Sequence, residues 1–312
     1  VIASLGEALI DFTPVLESGH LAGFRLHPGG SPYNVSVGVA RLGAPAAFAG
    51  RVSEDLFGGV LMENLAAGGV ETGLVSRAAE PSGLAFAVPS LGDVSYDLRV
   101  AGTSAATLRP EHLEAAAFAG VTILHFGSLG VALEPSRQAV LGLIRALSGR
   151  VLLSFDPNVR TRAVAGWDAY LKAVDECMEL ADIVKLSDQD SRLLGRQASS
   201  SSAPVVVTTR GPDGSEVSFG TDRELRLHCP AAPATVVDAV GAGDAYTAGL
   251  LVALFERGAV TRERLAALDV AGWREVLRFA HMVAALTCER PGADPPRREE
   301  VEQRLAGGSI DS

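Results

Sequence analysis

The stretch Asp238-Ala-Val-Gly241-Ala242-Gly243-Asp244 runs a small-residue turn straight into an apolar segment. Ala245, Ala248, Leu251, Val252 and Phe255 follow at helical spacing. Small residues let a ligand approach the main chain. A helix start offers unpaired N–H groups and the positive end of the dipole, so the turn suits an anion. Asp244 at that point sits beside the anion rather than binding it. A carboxylate so placed can take a hydroxyl proton while the turn steadies a migrating phosphoryl group. The same residues also describe an ordinary capped helix after a tight turn. The segment alone does not choose between the two.

A second constellation is Pro28-Gly29-Gly30-Ser-Pro-Tyr-Asn34. Paired glycines let polyol hydroxyls reach main-chain groups, and Asn34 can both donate and accept. Glycines before a helix are common in loops, so this motif is weak by itself. Other phosphate motifs fail. There is no G-x-x-x-x-G-K-[ST]. Gly241-Ala-Gly243 lacks the third glycine of the dinucleotide fingerprint, where Tyr246 stands. No G-x-S-x-G surrounds Ser128. The six histidines are scattered without metal spacing, and His125 reads as a core residue in an apolar strand.

Positioning these residues takes a scaffold. Short apolar runs predict strands at Val1–Ile10, Val121–Phe126, Val151–Phe155, Ile183–Leu186 and Val205–Thr208. Helices are predicted at Pro32–Leu42, Glu54–Ala67, Pro110–Ala119, Pro135–Leu147, Gly166–Ala181, Ala242–Arg257 and Trp273–Leu286. Ser31 is the expected cap of the first, with Pro32 at its first position and Gly43 at its exit. Strand alternating with helix predicts a doubly wound α/β fold with a mostly parallel sheet. Phe12–His27 and Leu84–Ala101 break the rhythm as hairpins, with turns at Glu17-Ser-Gly and Leu91-Gly-Asp. They read as a small sheet standing off the main one, serving as a lid, a dimerisation surface or both. Ala198–Ala203 reads as a surface loop and Gly307–Ser312 as a frayed tail.

The chain has 312 residues, 47% of them hydrophobic and 21% charged, which excludes disorder for the bulk of it. Its formal charge of -10 disfavours nucleic acid and anionic membrane as main partners. No stretch reaches the roughly 18 apolar residues of a spanning helix. The opening VIASLGEALIDF reads as a strand rather than a secretory signal. Cys177, Cys229 and Cys288 match no zinc or redox spacing and read as structural thiols of a cytoplasmic protein.

With both motifs in this order, the chain resembles the ribokinase-like (PfkB) carbohydrate kinase family over nearly its whole length. The early glycines and Asn34, followed by Arg41-Leu-Gly43, resemble the family's first signature. Gly50-Arg-Val-Ser-Glu-Asp-Leu-Phe-Gly58 resembles the segment that follows, and Asp238–Leu250 the second, more specific signature. Asp156-Pro-Asn158-Val-Arg160 and Arg290-Pro-Gly-Ala-Asp-Pro-Pro look most like the fructokinases.

The resemblance implies a three-layer sandwich with a β lid, as a single domain with lid segments near 12–28 and 84–102. It implies Asp244 as base, with the Gly241, Ala242 and Gly243 backbone as anion hole. Asp11, Gly29, Gly30 and Asn34 would hold sugar hydroxyls, and Arg99 would reach down from the second lid strand. Asn158 and Arg160 would face the transferred phosphoryl group and its acceptor. Thr209, Gly211 and Gly214 would border ATP, with Lys185 near its phosphates. Ser187 and Asp190 stand where the family steers magnesium (Mg2+) with N-x-x-E; they also read as a helix cap with its partner. Asp238, Val240 and Gly292 match positions around potassium (K+). Position 239 is Ala where the family usually has Thr or another small β-former, and position 296 is Pro where a side-chain cation ligand can stand.

The reaction implied is ATP-dependent phosphorylation of a sugar, D-fructose to its 6-phosphate first. Kinases for 2-keto-3-deoxygluconate, ribose or a nucleoside are alternatives, and a homodimer through the lid is plausible. Outside this class stand a non-catalytic sugar-binding regulator and a nicotinamide oxidoreductase. ADP release over a sugar panel separates the first from an enzyme, and the missing fingerprint disfavours the second.

Overall fold

The computed structural model describes residues 1–18, 20–90, 93–197, 201–220 and 223–307. Gly19, Leu91 and Gly92 of the expected lid turns, half of the serine-rich run and nearly all of the tail lie outside the described residues.

The main sheet is built from β1 (Ile2–Leu5), β4 (Ala46–Ser53), β5 (Glu71–Ala78), β8 (Ile123–Gly127), β9 (Leu152–Asp156), β10 (Ile183–Ser187), β11 (Val205–Thr209), β12 (Ser215–Phe219) and β13 (Leu225–Cys229). Their order is β13-β12-β11-β10-β9-β8-β1-β4-β5. Pairing is parallel from β11 to β5 and antiparallel at β11–β12 and β12–β13. The smaller sheet joins β2 (Leu9–Glu17), β3 (His20–Gly29), β6 (Gly83–Ser90) and β7 (Asp93–Arg99) in the order β3-β2-β6-β7. Only its β2–β6 pair is parallel.

Alternate residues of a strand point to opposite faces, and here both faces are covered. Ile2, Ile123, Leu152, Ile183 and Val205 enter one core, while Ala3, Leu124, Leu153, Val184 and Val206 enter the other. That is why these strands read as unbroken apolar runs. The first core is closed by α1 (Ser31–Arg41), α7 (Ala242–Glu256) and α9 (Val270–Cys288), and the second by α4 (Ser136–Leu147) and α5 (Trp167–Leu180). The remaining helices are α2 (Leu56–Ala67), α3 (Ser128–Ala132), α6 (Asp188–Leu194), α8 (Arg262–Ala266) and α10 (Arg298–Gly307). The three-layer α/β sandwich with a mostly parallel sheet is therefore present. No helix among the described residues is long and apolar enough to cross a membrane.

The elements depart from the sequence reading in several places, among them the unread strands β5, β12 and β13. Val1–Ile10 is two strands, broken at Gly6-Glu7-Ala8, so one strand belongs to each sheet. Pro110–Ala119 forms two 3-10 turns instead of a helix. Leu113 and Phe118 are both buried in one core, and an α-helix would set residues at that spacing about 140° apart. β4, with the sequence AAFAGRVS, went unrecognised because Ala and Gly are weak strand formers. Burial of every one of its residues between β1 and β5 forces the strand. Ser31 is not a cap: Gly30 holds that position at φ 109°, and no side chain caps the helix.

Close helix packing brings the two motifs together. A Cβ on Gly38 would lie 2.7 Å from Ala248 Cβ, and one on Gly249 would lie 2.9 Å from Ala280 Cα. Small residues thus let α1 and α9 press against α7. The start of α1 then lies beside the start of α7, about 210 residues further along the chain.

Candidate active site

A cleft of about 470 Å³ opens at the carboxyl ends of β1, β8, β9 and β10, the usual ligand position in an open parallel sheet. The small sheet forms its other wall. Asp11, Ala85 and Leu98 are partners in one row across β2, β6 and β7, and all three line the cleft. Asn34, Asn158, Arg160, Lys185, Ser187, Asp190, Thr209 and Asp244 meet there from elements far apart in sequence.

Asp244 sits in the first turn of α7 and is 8% exposed. Asn34 Nδ2 donates to its Oδ2 at 2.9 Å, and Ser31 Oγ donates to its Oδ1 at 2.7 Å. Burial raises its pKa; the bonds from Asn34 and Ser31 counter that, nearby Asp156 adds to it, and Arg160 counters it. The carboxylate is therefore basic for its type yet held ready by donors. In the turn before it, Gly241 adopts φ 76°, and a Cβ there would lie 2.5 Å from Ala293 Cβ. The Ala242 N–H is committed to Ala239 O at 3.2 Å. Ala242 does not line the cleft, whereas Gly243 and Asp244 do, and the N–H groups of a helix's first residues have no intrahelical acceptor.

Lys185 and Asp156 leave adjacent strand ends as a pair 2.5 Å apart, with side chains 6% and 3% exposed. Burial works against the Lys185 charge, but Asp156 and the more distant carboxylates outweigh it and its pKa is raised. Its ammonium lies 3.8 Å from where a Gly243 Cβ would stand, so a fixed positive charge borders the glycine turn.

The paired glycines have a steric role. A Cβ on Gly29 would lie 2.1 Å from Asp11 Oδ2, and one on Gly30 would lie 2.5 Å from Glu7 O. They clear the Asp11 carboxylate and the main chain of Glu7. Burial drives Asp11 up to about 7; Arg160 opposes the shift while Asp244 and Glu7 reinforce it. Glu7 is 2% exposed, and its Oε1 accepts from Ser31 N at 3.2 Å while Oε2 has no hydrogen-bond partner. Burial drives Glu7 to about 7 as well, partly offset by Ser128 and then by backbone groups and Arg160.

A raised folded pKa means that the folded state binds the Glu7 proton more tightly than the unfolded chain does. Its contribution to stability is full below about 4.5 and is lost as pH rises toward about 7. Glu7→Gln carries no such proton. Its melting temperature relative to wild type is expected to climb across that window and level off above it. A difference independent of pH in parallel thermal melts would contradict the assignment.

Asp238 acts through both carboxylate oxygens. Oδ1 accepts from Val240 N at 3.0 Å and Oδ2 from Gly292 N at 2.8 Å, so it ties the glycine turn to the 292 loop. Ser187 does cap α6: its Oγ accepts from Asp190 N at 3.0 Å and donates to Asp190 Oδ2 at 2.6 Å. Asp190 Oδ1 accepts from Val159 N at 2.8 Å. Both residues still line the cleft. Among the described residues no cluster of three or more His, Cys, Asp or Glu side chains could hold a metal.

Of the residues expected at the site, Gly29, Ala242 and Gly292 do not themselves line the cleft, and three others lie away from it. Arg99 does not reach the cleft. It pairs in register with Leu84, one residue past the Ala85–Leu98 row, so strand alternation turns it to the opposite face. There its side chain is 68% exposed and bonded to Asp97. Tyr96 and Leu98 line the cleft from that strand instead. Gly211 and Gly214 shape the turn after β11 and do not line it, although Thr209 does. Sequence reasoning missed Glu7, Ser31, Tyr96 and Ser128. Only Glu7, a charge inside an apolar run, carried a signal.

The whole architecture has counterparts. The model of the pfkB family carbohydrate kinases matches residues 1–300. The chain belongs to the pfkB family of carbohydrate kinases. A fructokinase of Klebsiella pneumoniae is 33% identical, covering 96% of this chain and 98% of its own. The structure of a Xylella fastidiosa fructokinase with bound ATP superposes at a TM-score of 0.90, with 27% identity over 99% and 98% of the two chains. A double mutant of a Vibrio cholerae fructokinase, bound to fructose, ADP and a potassium ion, does so at 0.83, with 25% identity and 97% coverage of both. The protein is an ATP-dependent sugar kinase, and the cleft is the candidate place for its chemistry.

Proposed function

We propose that this kinase phosphorylates a hexose, D-fructose first, at the hydroxyl that Asp244 can reach. The observation that carries the mechanism is Asp244 itself: a buried carboxylate at a helix start, held by Ser31 and Asn34. It would take the proton of the attacking hydroxyl as that oxygen bonds to the γ-phosphorus and ADP leaves. The N–H groups at the start of α7 and the Lys185 ammonium would offset charge on the moving group. Arg160, whose charge acts on Asp244, Asp11 and Glu7 together, would face the phosphoryl group and its acceptor. Asp11, Asn34 and Asn158 would orient sugar hydroxyls, and Thr209 would border the nucleotide.

Magnesium travels on ATP phosphates and needs few protein ligands. Asp190 and Asp156 are the carboxylates at hand for its water shell, and the ion would neutralise phosphate charge. Main-chain oxygens of the two loops tied by Asp238 suit a potassium ion better than its carboxylate, which is engaged with backbone N–H groups. The four-stranded sheet would work as a lid of a single kinase domain. Leu16, Leu21 and Phe24 are exposed on it and would support a homodimer.

The names of the similar fructokinases support fructose. A coupled ADP-release assay over fructose, 2-keto-3-deoxygluconate, ribose and nucleosides tests the choice. The expected result is the highest kcat/KM for fructose. A preference above tenfold for another member of the panel would replace it, the discrimination of about one pocket contact.

A further inference from the structure

Ser31 opens α1 but does not cap it. Its N–H donates to Glu7 Oε1 at 3.2 Å, and its hydroxyl donates to Asp244 Oδ1 at 2.7 Å. The other oxygen, Oδ2, takes its bond from Asn34 Nδ2 at 2.9 Å. Each oxygen of the carboxylate therefore has its own donor. The two donors differ in freedom. Ser31 is buried, on a backbone that Glu7 anchors, and its side chain has one torsion. Asn34 is half-buried, lines the cleft as Ser31 also does, and carries a longer side chain whose amide can turn to a polyol.

A hydroxyl that gives up its proton needs an oxygen of the carboxylate within hydrogen-bond reach. If both donors stayed in place, both oxygens would be partly blocked. If both left, nothing would orient the carboxylate. We infer that Ser31 is a positioning residue that holds Asp244 Oδ1, so that Oδ2 is the basic atom, vacated when Asn34 turns to the substrate. This rests on the reading of Asp244 as the base. In the step itself, Oδ2 accepts the hydroxyl proton and the freed oxygen pair forms the bond to γ-phosphorus. The bridging P–O bond breaks with its pair leaving on ADP. Ser31 keeps its proton throughout.

The other titratable and charged groups around Asp244 are Asp11 from β2, Tyr96 from β7, Asp156 from β9, Lys185 from β10, Glu7 between β1 and β2, and Arg160 after β9. Ser31→Ala leaves all of them in place, so a change in the titration of Asp244 reports the lost hydroxyl. The carboxyl pKa of Asp244, read by carboxyl-carbon NMR and assigned by difference from Asp244→Asn, is expected to rise by about one to two pH units. The acid limb of the kcat profile is expected to move with it, while KM for the sugar changes by less than about threefold. Ser31→Thr keeps a hydroxyl and is expected to restore both. An Asp244 pKa unmoved by Ser31→Ala, with the melting temperature preserved, overturns the proposal whether or not the protein turns over. So does a pKa that moves while the acid limb stays fixed. Were wild type to release no ADP with any sugar although the pKa moved, the reading of Asp244 as a base would fall, and the catalytic half of the inference with it. The bond to Oδ1 would stand.

Discussion

Asp244→Asn is expected to lower kcat by roughly a hundred- to ten-thousand-fold, the usual contribution of a positioned general base. Affinity for sugar and ATP should change little. The amide matches the carboxylate in size, and its oxygen can still accept from Ser31. Where Oδ2 stood, an NH2 group would meet the Asn34 amide donor; that amide can flip and present its carbonyl instead. The fold around the site should survive, because the start of α7 is set by Gly241 and by packing against α1 and α9. Steady-state ADP release gives kcat, and calorimetric titration gives the two affinities. Turnover at the wild-type level would remove Asp244 from the role of base. Loss of both binding and turnover would show that it supports the site rather than the chemistry.

The second large effect concerns stability. Lys185→Met leaves Asp156 buried without its partner. Breaking such a pair by removing one member costs about 3–5 kcal/mol, because an uncompensated buried charge remains. Replacing both members is far milder, so Lys185→Met with Asp156→Asn should recover most of the loss in a urea titration. Turnover should not recover with it. The ammonium beside Gly243 is the fixed positive charge next to the glycine turn, and the double variant still lacks it. If the single variant were as stable as wild type, the pair would not be buried in solution. If the double variant regained full activity, the charge would have no part in phosphoryl transfer.

Much of this was legible from the chain alone, for physical reasons. Central strands such as Val151–Phe155 and Ile183–Leu186 declare themselves because both faces are covered, which leaves no room for polar alternation. The turn before Asp244 declares itself because only small residues tolerate a left-handed Gly241 pressed against Ala293. Local chemistry of this kind is written in local sequence. So were the motifs that tie the chain to the carbohydrate kinases.

Contacts between distant segments were not legible. Nothing near Ser31 in sequence says that its hydroxyl would leave the cap position for a carboxylate on α7. That outcome depends on Gly38 and Ala248 letting two helices approach. Arg99 misled for the same reason: its type suited a sugar ligand, but the register of β7 against β6 turned it outward. Glu7 and Asp11 were ordinary acids until the main sheet and the small sheet closed around them and burial carried both to about 7. The residue types and their local order were decided by sequence. Which side chains share a cleft, and hence which proton each can hold, was decided only by tertiary packing, because desolvation and hydrogen bonding depend on neighbours the chain supplies from far away.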